Sequence, residues 1–308
     1  MAGEFSPTGS VGVSAAANFI PEIWSDEIVA TYQKSLVAAN LFKKMNFKGK
    51  KGDTVHIPVP TRGSANAKTT ATQVTLNTES GSDIAVLIDK HYEYSHLIED
   101  IVEVQALTSL RNFYTTDAGY ALAKQVDTSL IQLGRGFNGG NGANSAYAGA
   151  YSGADGTTAY VAGANTGLGA LTDAAIRRTI QRLDDNDVPM EGRFLIIPPA
   201  ARNTLLGLAR YTEQAFIGNG SAIRTGEIGN LYGIPVFVSS NADTTSGSTA
   251  CRIALMGHRD AAVLVEQQGI RSQTQYKQEY LSTLYTADTI YGVKELRDTS
   301  CFALAVPA

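Results

Sequence analysis

Apolar and small side chains recur every four residues through the middle of the chain, at Leu110, Tyr114, Ala118, Leu122, Val126 and Leu130. That step lays one row along a helix, and Ile101, Val104, Phe113 and Ala121 widen it into a face fit for burial. Glu99, Asp100 and Glu103 stand where the partial positive charge of a helix start favours acids. Gly134, Arg135 and Gly136 supply the stop signal. The pattern predicts one helix over 97–133, roughly 50 Å long at the usual rise. Thr115, Thr116 and Gly119 lower propensity near its middle and mark a place for a bend. No other stretch supplies helices long enough for a bundle, so this one reads as the backbone of a broad, flat subunit.

On the N-terminal side, residues 1–20 are small and polar and carry no period, which predicts an extended arm. Pro21 suits a first helical turn. Ile23, Ile28, Val29, Tyr32, Leu36, Val37, Leu41 and Phe42 follow at mixed three- and four-residue spacing, so 21–49 reads as a helix closed by Asn46-Phe47-Lys48-Gly49. Residues 54–59 alternate as a strand, but Pro58 and Pro60 lack the N–H that the middle of a sheet requires. From 63 to 83 almost every residue is Ala, Ser, Thr, Asn or Gln, with Val74 and Leu76 the larger apolar exceptions. A strand at 84–95 then returns. The whole reads as a long two-stranded excursion. A solitary hairpin is marginal in water, so something outside the chain should hold it.

After the helix, 134–169 is a Gly/Ala/Ser/Asn tract, a linker or surface loop that Tyr147, Tyr151 and Tyr160 could anchor. A compact α/β section follows. Thr172 caps a helix at 173–185 with Ala175, Ile176, Ile180 and Leu183 on one side and Arg177, Arg178 and Arg182 on the other. A strand at 193–197 stops at Pro198-Pro199, a short helix covers 200–208, and a glycine-punctuated turn over 223–234 feeds a strand at 235–239. Further strands are expected at 251–256 and 261–266. The alternation from 275 to 306 suits antiparallel strands covering the long helix. The fold class is α+β.

Composition narrows the function. Hydrophobic residues make up 44% of the 308 and charged ones only 18%, which suits a surface covered by neighbours as well as it suits a weakly charged monomer. A net charge of −4 argues against a dedicated nucleic-acid binder. No apolar run reaches membrane-spanning length, and the first residues lack the basic and apolar blocks of a secretory signal. Cys251 and Cys301 each sit in an apolar run and read as buried free thiols in a reducing compartment.

Enzyme chemistry finds no foothold. His91 and His96, five apart on a strand, face opposite sides and make a poor metal pair; His56 and His258 are far away. There is no G-x-S-x-G. Residues 49–54, GKKGDT, lack phosphate-loop spacing and read as a basic turn between helix and strand. Asp184, Asp185 and Asp187 read as a solvated helix end. Asn219-Gly220-Ser221 fits the glycosylation pattern but lacks a secretory signal to make it meaningful. No cofactor and no metal are expected.

The order of arm, helix, polar hairpin, strand, long helix, α/β section and terminal sheet resembles the major capsid proteins of tailed double-stranded DNA bacteriophages, the family with the HK97-type fold. Three stretches carry the resemblance: NFIPEIWSDEIVATYQKSLVAANLF (18–42) followed by KKGDTVHIPVP (50–60), RFLIIPPAARNTLLG (193–207) and TGEIGNLYGIPVFVSSN (225–241). It implies an N-terminal arm at 1–20, a helix at 21–49 and an E-loop at 50–90. It further implies a peripheral domain with its spine helix at 91–136 and 262–308, and an axial domain at 137–261. A structural protein follows, one that self-assembles into pentamers and hexamers as an icosahedral shell around packaged double-stranded DNA without sequence-specific binding. It would be assembled in the host cytoplasm and located in the virion capsid.

Family members with a built-in scaffolding segment carry a long N-terminal helical extension, whereas about twenty residues precede the first helix here. A separate scaffolding protein is therefore expected beside the portal and any decoration proteins. Lys68 lies in the E-loop, but no crosslinking Asn or catalytic Glu stands out for it. Candidate subunit-interface charges are Arg62, Lys68, Glu99, Asp100, Arg177, Arg178 and Arg182. The alternatives are a nanocompartment shell of the encapsulin type and, from a different class, a soluble α/β enzyme.

Overall fold

Alternating burial along the strands sorts the protein into two large sheets and a hairpin, joined by one helix. The computed structural model describes residues 37–49, 51–60, 63–74, 76–77, 81–101, 110–140, 146–163, 166–208, 229–245 and 251–308. The arm at 1–20, the first helix through residue 36, Arg62, the turn at 223–228 and Asn219-Gly220-Ser221 lie outside them.

The first described elements are α1 (Ala38–Leu41), β1 (Lys43–Asn46), β2 (Thr54–Pro60), β3 (Gly81–Leu87), β4 (Lys90–Glu99) and α2 (Leu110–Gln132). Next come β5 (Tyr151–Ser152), α3 (Asp173–Asp185), β6 (Arg193–Ile197), α4 (Pro199–Leu206), β7 (Asn230–Leu231) and β8 (Ile234–Val238). The chain ends in β9 (Cys251–His258), β10 (Ala262–Lys277), β11 (Ser282–Glu295) and β12 (Cys301–Pro307). The strand orders are β1-β10-β11-β4, β5-β12-β9-β6-β8-β7, and β2-β3 alone.

The six-stranded sheet is covered on both faces. Phe194, Ile196, Ile253, Leu255, Ala303 and Ala305 point to one core, shared with Phe42, Leu130, Ile131 and Tyr291. Their alternates Leu195, Ile197, Ala254, Met256, Phe302 and Leu304 point to a second core under α3 and α4. This is period-two patterning with both sides apolar, which is why these strands read as continuous apolar runs. Thr172 caps α3 as expected, accepting from Ala175 N–H at 3.3 Å. Tyr232 and Gly233 make the two-residue turn from β7 to β8, both at positive φ (52° and 80°), the conformation a tight hairpin demands.

The four-stranded sheet carries α2 on one face, where Ala118 and Leu122 meet Tyr285, Ala287 and Tyr94. The helix runs unbroken through Gly119 for 23 residues, about 34 Å.

Several expectations need correcting. The predicted helix start at 97–99 is strand: Tyr94, His96 and Ile98 face α2 while Leu97 and Glu99 face out, so two-residue alternation wins there over the four-residue row. The end of the predicted first helix, 43–46, is β1, paired in parallel with β10. GKKGDT therefore joins two strands rather than a helix and a strand. The single strand at 84–95 is two, parted where Ile88 N–H donates to Asp53 O at 2.7 Å. The strand expected at 261–266 runs on to Lys277. The last strand, β12, pairs with β9 and β5 in the six-stranded sheet instead of joining β10 and β11. Part of the glycine-rich tract is core: Phe137, Tyr147, Ala150 and Tyr160 are buried.

Candidate assembly surfaces

The hairpin is held at its base, and its described residues beyond the ladder are exposed. Among the described strands β2 and β3 pair only with each other, from Thr54 opposite Leu87 to Pro60 opposite Gly81, so the prolines stand in a two-stranded ladder where missing N–H groups cost little. Val86 and Ile88 pack on Val263 and Val265 of β10, with Val55, Ile57 and Ile290 around them. Gln267 donates from Nε2 to Gly52 O at 2.9 Å. A Cβ on Gly292 would stand 2.4 Å from Leu87 O, so a glycine is what lets β3 lie this close across β11. His56 pairs with Asp83 across the two strands.

From 63 to 77 every described residue is exposed, including Val74 (63%) and Leu76 (85%). Side-chain bonds here stay within the loop: Asn66 Nδ2 donates to Asn77 Oδ1 and Asn77 Nδ2 to Ser64 O, both at 2.7 Å.

Beside the hairpin base, on the sheet face away from α2, Asp288 gathers the sheet's charges. Arg271 grips its two oxygens from Nε and Nη2 at 3.1 Å, Gln268 Nε2 donates at 2.8 Å, and His91 Nε2 lies 3.4 Å away. Burial pulls the Asp288 pKa upward, but the Arg271 guanidinium, helped by His91 and Gln268, outweighs it and holds the carboxyl below the ordinary aspartate range.

Three consecutive polar residues of α2 bolt the helix to its surroundings. Asp127, fully buried, accepts from Ala38 N–H at 2.7 Å and from Asn241 Nδ2 at 2.9 Å. Thr128 Oγ1 also accepts from Asn241 Nδ2, at 3.0 Å. Ser129 bonds the Tyr291 hydroxyl at 2.9 Å, whose pKa burial pushes up to about 12. Just beyond the helix, Arg135 Nε and the Tyr147 hydroxyl both donate to Asp243 Oδ2, at 2.8 and 2.7 Å. Burial, then the Asp243 charge, drives the Tyr147 pKa well up. Such a latch fixes a tract that composition alone would leave loose.

The candidate interface charges do not converge. Lys68 is exposed on the hairpin, and Glu99 is exposed at the end of β4. Asp100 accepts from the Tyr276 hydroxyl at 2.7 Å. On α3, Arg177 pairs with Asp173 at 2.9 Å, Arg178 bonds Gln181 at 2.7 Å, and the Arg182 guanidinium lies 3.3 Å over the Tyr151 ring. Each of the three arginines thus has one contact within its own chain, while Arg178 Nε and Arg182 Nη1 are left without a hydrogen-bond partner among the described residues. His91 and His96 do face opposite ways, toward Asp288 and toward Tyr114. Cys251 and Cys301 are buried free thiols, opposite Pro307 and Gly257 at the two ends of the β9–β12 pair.

Sequence reading missed an apolar cluster at the sheet's far end: Leu97, Ile101, Tyr276, Tyr280 and Leu281 are all exposed, the last next to β4 through Asp100 N–H donating to Leu281 O. The alternation read at 275–306 marked strands here but did not show which of their large side chains would stay exposed. Among the described residues no group of His, Cys, Asp and Glu could hold a metal ion, and no helix is long and apolar enough to cross a membrane.

A family model described as phage capsid protein matches residues 99–297, a span that runs from the end of β4 past β11. The chain belongs to the phage capsid protein family. Among solved structures, this capsid protein is similar to one of Mycobacterium phage Che8, with 25% identity over 93% of this chain and 97% of the other, and a TM-score of 0.74. It is similar in fold to the capsid of Cyanophage P-SCSP1u (17% identity, 99% of both chains, TM-score 0.72). The same holds for the mature capsid of bacteriophage PhiM1 (14% identity, 93% of this chain and 92% of the other, TM-score 0.69). Comparison with curated protein sequences gives no match. The HK97-type fold inferred from element order is the fold this capsid protein has. It is a structural, non-enzymatic major capsid protein that associates with itself into the virion shell.

Proposed function

We propose that the subunit assembles as pentamers and hexamers, and that the resulting icosahedral shell encloses double-stranded DNA without reading its sequence. The observation that carries this reading is the hairpin. Residues 63–77 extend a ladder fixed at its base, expose every described side chain, and include Val74 and Leu76, which a lone subunit leaves in water. Laid on neighbours, such an arm joins many modest contacts whose sum holds a shell.

In this reading the four-stranded sheet with α2 forms the peripheral domain, and the six-stranded sheet with α3 and α4 the axial domain. Lys68, Glu99 and Asp100 supply charged contacts between subunits, with Arg62 beside the hairpin in sequence, and the α3 arginines Arg177, Arg178 and Arg182 line a lateral face. A separate scaffolding protein, a portal and decoration proteins complete the particle, put together in the host cytoplasm. The test is expression with the neighbouring genes, followed by negative-stain microscopy and analysis of particle contents. Closed shells holding nucleic acid are expected. A stable monomer in size-exclusion chromatography at every concentration would refute the proposal, and shells filled with a protein cargo would refute its DNA part.

A further inference from the structure

Five of the chain's eleven lysines, Lys43, Lys44, Lys48, Lys50 and Lys51, fall within one short stretch, and no acid stands among them. A net charge of −4 conceals this strip, because the acids lie elsewhere along the chain. Lys43 and Lys44 sit on β1, the edge strand of the four-stranded sheet, whose outer side no described strand covers. Strand alternation sends Lys44 to one face and Lys43 to the other, where Met45 and Phe47 pack on the hairpin base. The turn from β1 to β2 carries Lys48 and Lys51. Gly49 and Gly52 hold it open at positive φ (78° and 136°), with no atom within 4 Å of where a Cβ would stand. Lys43, Lys44, Lys48 and Lys51 are all exposed, and Lys50 lies outside the described residues. Lys48 pairs with Glu266 at 3.7 Å, and Lys44 Nζ donates to Asn40 Oδ1 at 3.3 Å. Lys43, Lys44 and Lys51 have no carboxylate within ion-pair distance among the described residues.

We infer that this strip is where the subunit meets the phosphate backbone of the packaged double-stranded DNA. Lysines on an edge strand also guard it against pairing with other strands. That role accounts for Lys43 and Lys44 but not for Lys48, Lys50 and Lys51, which follow the last residue of β1. A protein partner fits poorly. Protein interfaces are depleted in lysine and built around apolar and aromatic anchors, and no large apolar side chain is exposed between residues 43 and 53. The charges are also spread over two faces of a strand, its edge and a turn, so they present no flat plane. A duplex carries closely repeated charge, and flexible ammonium groups can meet its phosphates one at a time. Lysine's compact charge makes no demand on base sequence. Contact through so few charges is weak and salt-sensitive, which lets DNA slide as the shell fills and empties. The inference rests on the DNA part of the proposed function and adds to it the residues that touch the duplex.

Fluorescence anisotropy of the unassembled subunit with a short labelled duplex tests it. Two duplexes of unrelated sequence should bind alike. Contact with about four phosphates gives a slope of about −3.6 for log affinity against log salt. The triple variant Lys43→Gln/Lys44→Gln/Lys51→Gln should melt like wild type, its replaced side chains being exposed, and should make that slope shallower by about 2.7. Lys277→Gln/Lys294→Gln, two lysines outside the strip, should leave it in place. A slope that the triple variant does not change, or that the control pair changes as much, overturns the inference. Tighter binding to polyglutamate than to DNA at equal charge overturns it in favour of an acidic protein partner. In DNA-filled particles, formaldehyde should couple peptides from 43–51 to the DNA. An amine-reactive polymer too large to cross the shell should leave those lysines unlabelled. Labelling from outside, or no coupling to DNA, overturns the inference and leaves the shell reading standing. Wild-type particles that hold no nucleic acid overturn the DNA reading on which it rests.

Discussion

Replacing Asp127 should weaken the subunit more than any surface change, because its carboxylate is the point where three segments meet. It is fully buried, has no cation within ion-pair distance among the described residues, and holds Ala38 N–H at 2.7 Å and Asn241 Nδ2 at 2.9 Å. In Asp127→Ala the Ala38 N–H loses its acceptor, while Asn241 keeps Thr128 Oγ1 at 3.0 Å. One orphaned buried donor costs about 1–3 kcal/mol, and a bond to a charged group is worth about 1.5–3 kcal/mol. Removing an unpaired buried charge gives part of this back through relieved desolvation. The balance is a loss of about 2–4 kcal/mol.

Asp127→Asn keeps the shape and one acceptor, and the Asn241 amide can turn over to offer its oxygen, so a loss near 1 kcal/mol is expected. A cycle with Asn241→Ala isolates the shared bond: the double variant should lose about 1.5–3 kcal/mol less than the sum of the singles. Equilibrium urea unfolding of the unassembled subunit measures all four states. Strict additivity, or an Asp127→Ala loss below about 0.5 kcal/mol, the ordinary surface range, would refute the reasoning.

Three further outcomes follow from the same geometry. Asp288 titrates below an unfolded aspartate, so its contribution is present above the unfolded value of about 3.9 and fades as pH falls through the lower folded value. Melting temperatures of wild type and Asp288→Asn should accordingly differ near neutrality and converge in acid; parallel curves would refute this. Gly292→Ala puts a methyl group 2.4 Å from Leu87 O and should cost about 1–3 kcal/mol in thermal unfolding while loosening the hairpin base to proteolysis. Cys251 and Cys301 are buried, and burial drives the Cys301 pKa far up, so neither thiol should react with a disulfide reagent until the chain unfolds; prompt labelling of the native subunit would contradict the packing.

What could be read from the sequence followed from where one physical signal acted alone. α3 was legible to the residue because its cap, its apolar face and its acidic end agree. β6 was legible because an apolar run stops at two prolines, and α2 because its four-residue row is long. Around 97–99 two signals compete. Leu97, Ile98 and Ile101 extend the helical row, but Tyr94, His96 and Ile98 also make a strand face, and pairing with β11 from Glu99 to Lys90 decides for the strand. The length of β10 was hidden because its second half, Gly-Ile-Arg-Ser-Gln-Thr-Gln, is polar and borrows its order from β11 rather than from a core of its own. The Asp127 and Asp243 networks join residues about a hundred positions apart, and no local pattern signals a partner at that distance.

The α3 arginines show a related limit: a helical repeat gives the face a residue lies on, not the partner its side chain finds. Arg177, Arg178 and Arg182 share one face of α3, and within the subunit they meet Asp173, Gln181 and Tyr151 respectively. A charged side chain usually finds a counter-group in its own subunit and then contributes little to a neighbour. A backbone left over when its side chains cannot support a core has no such recourse. In the described part of the hairpin loop and along the outer side of 271–277, no described strand takes the N–H and C=O groups, so a surface that covers them must bring backbone or polar side-chain partners. Any contact that excludes water from these stretches has to supply those hydrogen bonds, a demand that no exposed charge pair makes.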